Sequence, residues 1–263
     1  MATPVAALLA AVLAGLLALA AQTSPWAVVA VAIGGQLLLA TGIASRELSP
    51  SQGVLAVSGG DNTVVGRGRS TVTWLVVAAA GTVASVATVT ADVVDLGTLA
   101  PVAAGGVLAC FVLELVRRGG REGLAGSLAT SVTGVALAVL TASWPVTMLL
   151  RFGEPLVTVG AVGVGVCALV WAVPGPRGIL GPLGVVVAAV GGWVLLPMLS
   201  GPYAAAAGAA LAGAGAAVAA VALAAASWWA EGAREHLALV ATLPLALAAP
   251  VVHLVAQLAG AVT

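Results

Sequence analysis

The chain has 263 residues, of which 62% are hydrophobic and 7% charged, with a formal net charge of zero and a mean hydropathy of +1.19. A soluble domain carries about 25% charged residues because its surface must be solvated, so this composition excludes a water-exposed globular fold. Nine arginines against nine carboxylates, with no lysine, leave no excess base to neutralise phosphates, and nucleic acid is not an expected partner.

A helix crossing the hydrocarbon core takes about 20 residues. Nine apolar runs of that order follow one another, at 4–21, 26–44, 71–90, 98–116, 124–148, 156–173, 183–200, 203–226 and 237–262. They predict an all-α polytopic bundle forming a single transmembrane domain over residues 1–263. The first run reads as a retained helix rather than a secretory signal, because no positive residue precedes it. Arg46, Arg67, Arg69, Arg117, Arg118, Arg121, Arg177 and Arg234 fall in connections after the even-numbered runs, and only Arg151 falls on the other side. Positively charged loops stay cytoplasmic. The expectation is therefore a multi-pass plasma-membrane protein with a cytoplasmic N-terminus and an external C-terminus. Trp26, Trp74, Trp144, Trp171, Trp228 and Trp229 lie near run ends, where indoles favour the headgroup zone, while Trp193 lies deeper.

The longest polar connection, 45–70, contains Val54-Leu55-Ala56-Val57-Ser58 and Thr63-Val64-Val65 around Gly59-Gly60-Asp61-Asn62. Two β-prone runs about a short turn predict a cytoplasmic hairpin, a surface for a protein partner. Gly66-Arg67-Gly68-Arg69 follows but lacks the lysine and spacing of a phosphate loop. Small residues recur at every fourth position in Gly126, Thr130 and Gly134, in Gly163 and Cys167, and in Gly81 and Ser85. In lipid such spacing lets helix backbones approach closely. Cys110 and Cys167 lie in apolar runs and read as small buried hydrophobes.

Polar groups inside the membrane are the default functional candidates, because they are costly to bury. Glu114 can reach Arg117 and Arg118 on one helix face. With Arg121 these residues read either as an ion pair anchoring the helix end or as a site for an anionic lipid headgroup. His253 and Gln257 lie one turn apart beyond Pro244 and Pro250, where freed carbonyls need partners. They and Gln36 either bond to neighbouring helices or line a binding route. Asp92 and Asp95 form an acidic pair outside the membrane, read as helix caps or as ligands for a divalent cation. His236 and His253 are far apart, so no metal site, cofactor or catalytic set can be assembled from these residues.

Residues 114–140 run from a Glu-Leu-Val-Arg-Arg-Gly-Gly-Arg turn into Ser-Leu-Ala-Thr-Ser-Val-Thr-Gly. With the proline-interrupted stretch 243–254, they resemble a family of uncharacterised actinobacterial polytopic integral membrane proteins. The first stretch is also similar to the central helices of phosphatidate cytidylyltransferases. That family's signature is a Ser…Lys-Arg…Lys-Asp run followed by His-Gly-Gly and Asp-Arg with a further Asp, which hold metal and nucleotide phosphate. This chain has no lysine, no His-Gly-Gly and no Asp-Arg dipeptide, so no catalytic residue carries over.

Three functional expectations follow. The first is a scaffold or accessory subunit acting through its helix surfaces and the 45–70 connection, with membrane lipids and another membrane or cytoplasmic protein as partners. The second is a transporter or flippase for an apolar or lipid-like substrate, which requires Gln36, Glu114, His253 and Gln257 to converge on one cavity. The third is a lipid-modifying enzyme using Asp92 and Asp95, which requires a further polar ligand beside them.

Overall fold

The computed structural model describes residues 2–48, 62–91, 95–116, 124–199, 205–229 and 237–262. It is all-α and 93% helical. In chain order the helices are α1 (Ala2–Ala21), α2 (Pro25–Leu48), α3 (Asn62–Thr90), a 3₁₀ turn (Leu96–Leu99), α4 (Ala100–Val116), α5 (Leu124–Thr141), α6 (Ser143–Met148), α7 (Gly153–Ala172), α8 (Arg177–Leu199), α9 (Ala205–Trp229) and α10 (Leu237–Val262). Among the described residues, nine helical segments are long and apolar enough to cross a membrane, and they match the nine runs to within six residues, the largest difference being the seventh, which begins at Arg177 rather than at 183. This is the architecture of a multi-pass membrane protein.

Two local expectations are corrected. The run 124–148 is not one helix but two, α5 and α6, interrupted at Ala142. Pro145 is the cause: it has no N–H to offer the Thr141 carbonyl, and its ring crowds that carbonyl. Thr63-Val64-Val65 is helical rather than a strand, because α3 begins at Asn62. β propensity reflects fit to a pleated surface, and here the same residues extend a span. At 29 residues, α3 is about 43 Å long at 1.5 Å per residue, enough for the bilayer with its headgroup zones at roughly 40–45 Å. The rest of the predicted hairpin, 49–61, lies outside the described residues.

The bundle is organised around α7, which packs against α1, α8, α9 and α10. Close approach comes from small residues. A Cβ added at Gly163 of α7 would lie 2.4 Å from the Ala212 carbonyl oxygen of α9, and one at Gly192 of α8 would lie 2.2 Å from the Gly208 carbonyl oxygen of α9. Cys167 is buried against Gly184, and both cysteines are free and buried. On the other side α2 packs on α3, α3 on α5, and α4 packs on α3, α5 and the 3₁₀ turn. Gly134 meets Val77 and Ile43, whereas Gly126 faces open space, so only part of that predicted stripe is a helix contact. The turn between α6 and α7 needs a glycine: Phe152 has φ 64°, and a Cβ on Gly153 would be 2.3 Å from the Met148 carbonyl oxygen.

The tryptophans divide differently from expectation. Trp144 and Trp171 are 1% and 8% exposed and belong to the core rather than to a headgroup belt. Trp26 and Trp193 are exposed, and Trp74 packs half-buried against the core. Trp144 is drawn inside because its indole N–H finds a carbonyl there, as described next.

Candidate functional site

One polar part of the interior is the crossing of α6 with α10. Pro244 and Pro250 lie within α10 and leave the Val240 and Ala246 carbonyls without their usual i+4 donors. α6 is short and buried over Ser143, Trp144, Pro145, Val146 and Thr147. Trp144 Nε1 donates to the Leu245 carbonyl at 3.1 Å, between the two prolines. One turn on, Thr147 Oγ1 donates to the Ser143 carbonyl at 2.7 Å and lies 3.1 Å from His253 Nδ1.

With the Thr147 hydroxyl directed at the Ser143 carbonyl and Gln257 Nε2 directed at His253 Nε2, the matching tautomer carries its proton on Nδ1 and donates it to Thr147. Its Nε2 then accepts from Gln257 Nε2 at 2.9 Å. The chain runs in one direction, Gln257 to His253 to Thr147 to the Ser143 carbonyl. A catalytic pair has the opposite polarity, with the hydroxyl donating to the imidazole that will take its proton. Here the ring is fully buried and has both nitrogens engaged. Ser143 Oγ is buried without a hydrogen-bond partner. Asp95 caps the 3₁₀ turn, its carboxylate accepting from Gly97 N at 3.1 Å. Asp92 lies outside the described residues.

Gln36 lies elsewhere, in the middle of α2 and fully buried. Its Nε2 donates to Ser85 Oγ at 2.7 Å and to the Ala138 carbonyl at 3.0 Å. The second bond follows from the helix break: Ala142 N turns to the Val139 carbonyl at 3.0 Å, and Gln36 supplies a donor to the carbonyl one residue earlier. Gly81 makes room, since a Cβ there would lie 2.8 Å from Gln36 Cδ. Gln36 Oε1 is buried with no partner. Glu114 forms a third group, accepting a hydrogen bond from the Ser127 hydroxyl of α5. Arg117, Arg118 and Arg121, the predicted partners of Glu114, lie outside the described residues.

His253 and Gln257 are therefore together, while Gln36 and Glu114 occupy separate helix contacts. A cavity of about 20 Å³ is lined by Leu17, Gly35, Thr141, Trp144, Thr242 and Leu245 among others, and one of about 420 Å³ lies between α5 and α9. None of the four sequence candidates lines either cavity. Among the described residues, no group of three or more His, Cys, Asp or Glu is placed to hold a metal ion. Ser85, Ser143, Trp144 and Thr147 were missed as partners. Pro145, inside an otherwise helical run, was the available signal that this stretch breaks and bonds outward.

No protein-family model matches the chain, and no curated protein or solved structure matches it.

Proposed function

We propose that this chain is a non-catalytic, multi-pass protein of the plasma membrane that serves as a scaffold or accessory subunit. Its N-terminus is cytoplasmic and its C-terminus external, following the arginine asymmetry. The surfaces it offers are its lipid-facing helices and the cytoplasmic connection 45–70, and the turn bearing Arg117, Arg118 and Arg121 meets anionic headgroups. One observation carries this reading: the direction of the Gln257–His253–Thr147–Ser143 chain. A histidine that donates to its hydroxyl neighbour joins helices and does not activate a nucleophile.

The test is gentle purification of the tagged protein with its native lipid annulus, followed by mass spectrometry of what is retained. A stoichiometric second protein, lost on altering 45–70, supports the reading. Recovery of the chain with no protein partner, together with flux or turnover in reconstituted vesicles, overturns it.

A transporter or flippase for a lipid-like substrate is the second reading. It is favoured by the break at Ala142 facing the prolines of α10, since discontinuous helices with polar crossings mark substrate sites in many transporters. It calls for a second conformation in which that crossing opens. Flux in vesicles that disappears in Thr147→Val while the fold persists would support it over the first reading.

A further inference from the structure

A groove of about 420 Å³ between α5 and α9 is not absorbed by the polar contacts. Ile43, Leu137 and Leu243 form its buried floor, and Thr133 and Val221 its exposed rim. Every lining residue falls within one of the candidate spans, so the mouth faces hydrocarbon and not water. Most lie toward the span ends that lead into 46–70, 117–123 and 230–236, the connections that carry most of the arginines, while Leu137 and Leu247 sit at mid-span.

Location and size decide the occupant. A void in a close-packed bundle forfeits dispersion contacts along its whole lining, and neighbouring fluid hydrocarbon is free to enter and restore them. A single flexible acyl chain is narrower than a helix at roughly 10–12 Å across and enters from the adjacent hydrocarbon. The lining has no charged residue; the Thr130 hydroxyl is already donated to the Gly126 carbonyl at 2.9 Å, and Thr133 stands on the exposed rim, so an apolar chain buries no charge. Headgroup choice follows from charge, because anionic lipids gather beside basic connections. We propose that this groove holds one acyl chain of an anionic phospholipid from the leaflet that borders the arginine-bearing connections. The assignment does not depend on the scaffold reading and survives its failure.

The test places the full-length protein in phosphatidylcholine vesicles containing phosphatidylglycerol with a photoreactive diazirine in one acyl chain. After illumination, labelled peptides are mapped by mass spectrometry. The expected labels fall on residues 129–137 and 221–225. Ala129→Phe and Ala225→Phe, which fill the groove, should each cut that labelling by roughly tenfold, a penalty of about 1.4 kcal/mol. Val190→Phe, on the exposed face of α8, should leave it unchanged. Labels spread evenly over α4, α8 and the groove would overturn the proposal, and mapping on the unsubstituted protein decides this even if a filled variant fails to fold. Equal labelling by a diazirine-bearing phosphatidylcholine overturns the anionic assignment. A co-purified polypeptide crosslinked in the groove in place of lipid overturns the whole proposal.

Discussion

α4 and α7 are equally apolar, with mean hydropathies of 2.1 and 2.0 over their spans, yet 11% of the first is buried and 72% of the second. Hydropathy sorts a segment into the membrane but not to a place within the bundle, since lipid is as apolar as a protein core. The difference lies in what the small residues meet. On α7, Gly160 meets Val252 and Trp144, Gly163 meets the Ala212 backbone, and Gly165 meets Ala14, so four neighbouring helices close on one. On α4, Gly105 meets nothing and only Gly106 finds a partner, Val135. Leu108, Phe111, Leu113 and Leu115 remain exposed. Backbone access, not apolarity, decides which helix is central.

The sharpest way to break this contrast is to place a large side chain on each helix. Gly163→Leu should cost about 3 kcal/mol or more, because its Cβ would already overlap the α9 backbone and cannot be relieved by a rotamer change. Thermal unfolding in mild detergent reads this as loss of monodisperse protein or a large fall in Tm. Gly105→Leu on α4 should instead be neutral or slightly stabilising, by up to about 1 kcal/mol of helix propensity. Equal effects at the two sites would remove the basis of the comparison.

Smaller effects test the polar crossings. Trp144→Phe keeps an aromatic ring but removes the donor to the Leu245 carbonyl and leaves part of the buried indole's volume empty, and should cost about 1–3 kcal/mol. Gln36→Leu should cost less, about 0.5–1.5 kcal/mol. The bonds to Ser85 and Ala138 are lost, but so is the burial of an unpartnered Oε1. The smallest change is expected for Leu115→Ala on α4, within about 0.5 kcal/mol. That side chain is 80% exposed and faces lipid both before and after any loss of helix packing. The same melting experiment ranks all of these, and the order carries the argument as much as the sizes.

The spans were legible in the sequence because bilayer thickness imposes a length and an apolarity that few other constraints imitate. The buried state of Cys110 and Cys167 and the pairing of His253 with Gln257 were legible for similar local reasons: apolar flanks, and a spacing of one helical turn. The break at Ala142 was present in Pro145 but hidden by a hydropathy window that runs across it. The partners of Gln36 and His253 were not legible. Ser85, Ala138 and Thr147 come from distant parts of the chain, and their approach depends on which helices lie side by side. Trp144 was read as interfacial from its position near a run end, and its indole N–H meets the Leu245 carbonyl of α10, a partner distant in sequence.

The account rests on the claim that the buried polar groups hold helices together. A double-mutant cycle on Thr147→Val and His253→Leu, read as unfolding free energy in a bilayer-like medium, tests this most directly. The expected result is that each single variant is destabilised and that the pair is coupled by about 0.6–1.7 kcal/mol, the range found for interhelical hydrogen bonds in membranes. Unchanged stability in both variants, with no coupling, would contradict the claim and return His253 to the list of groups kept for chemistry or transport.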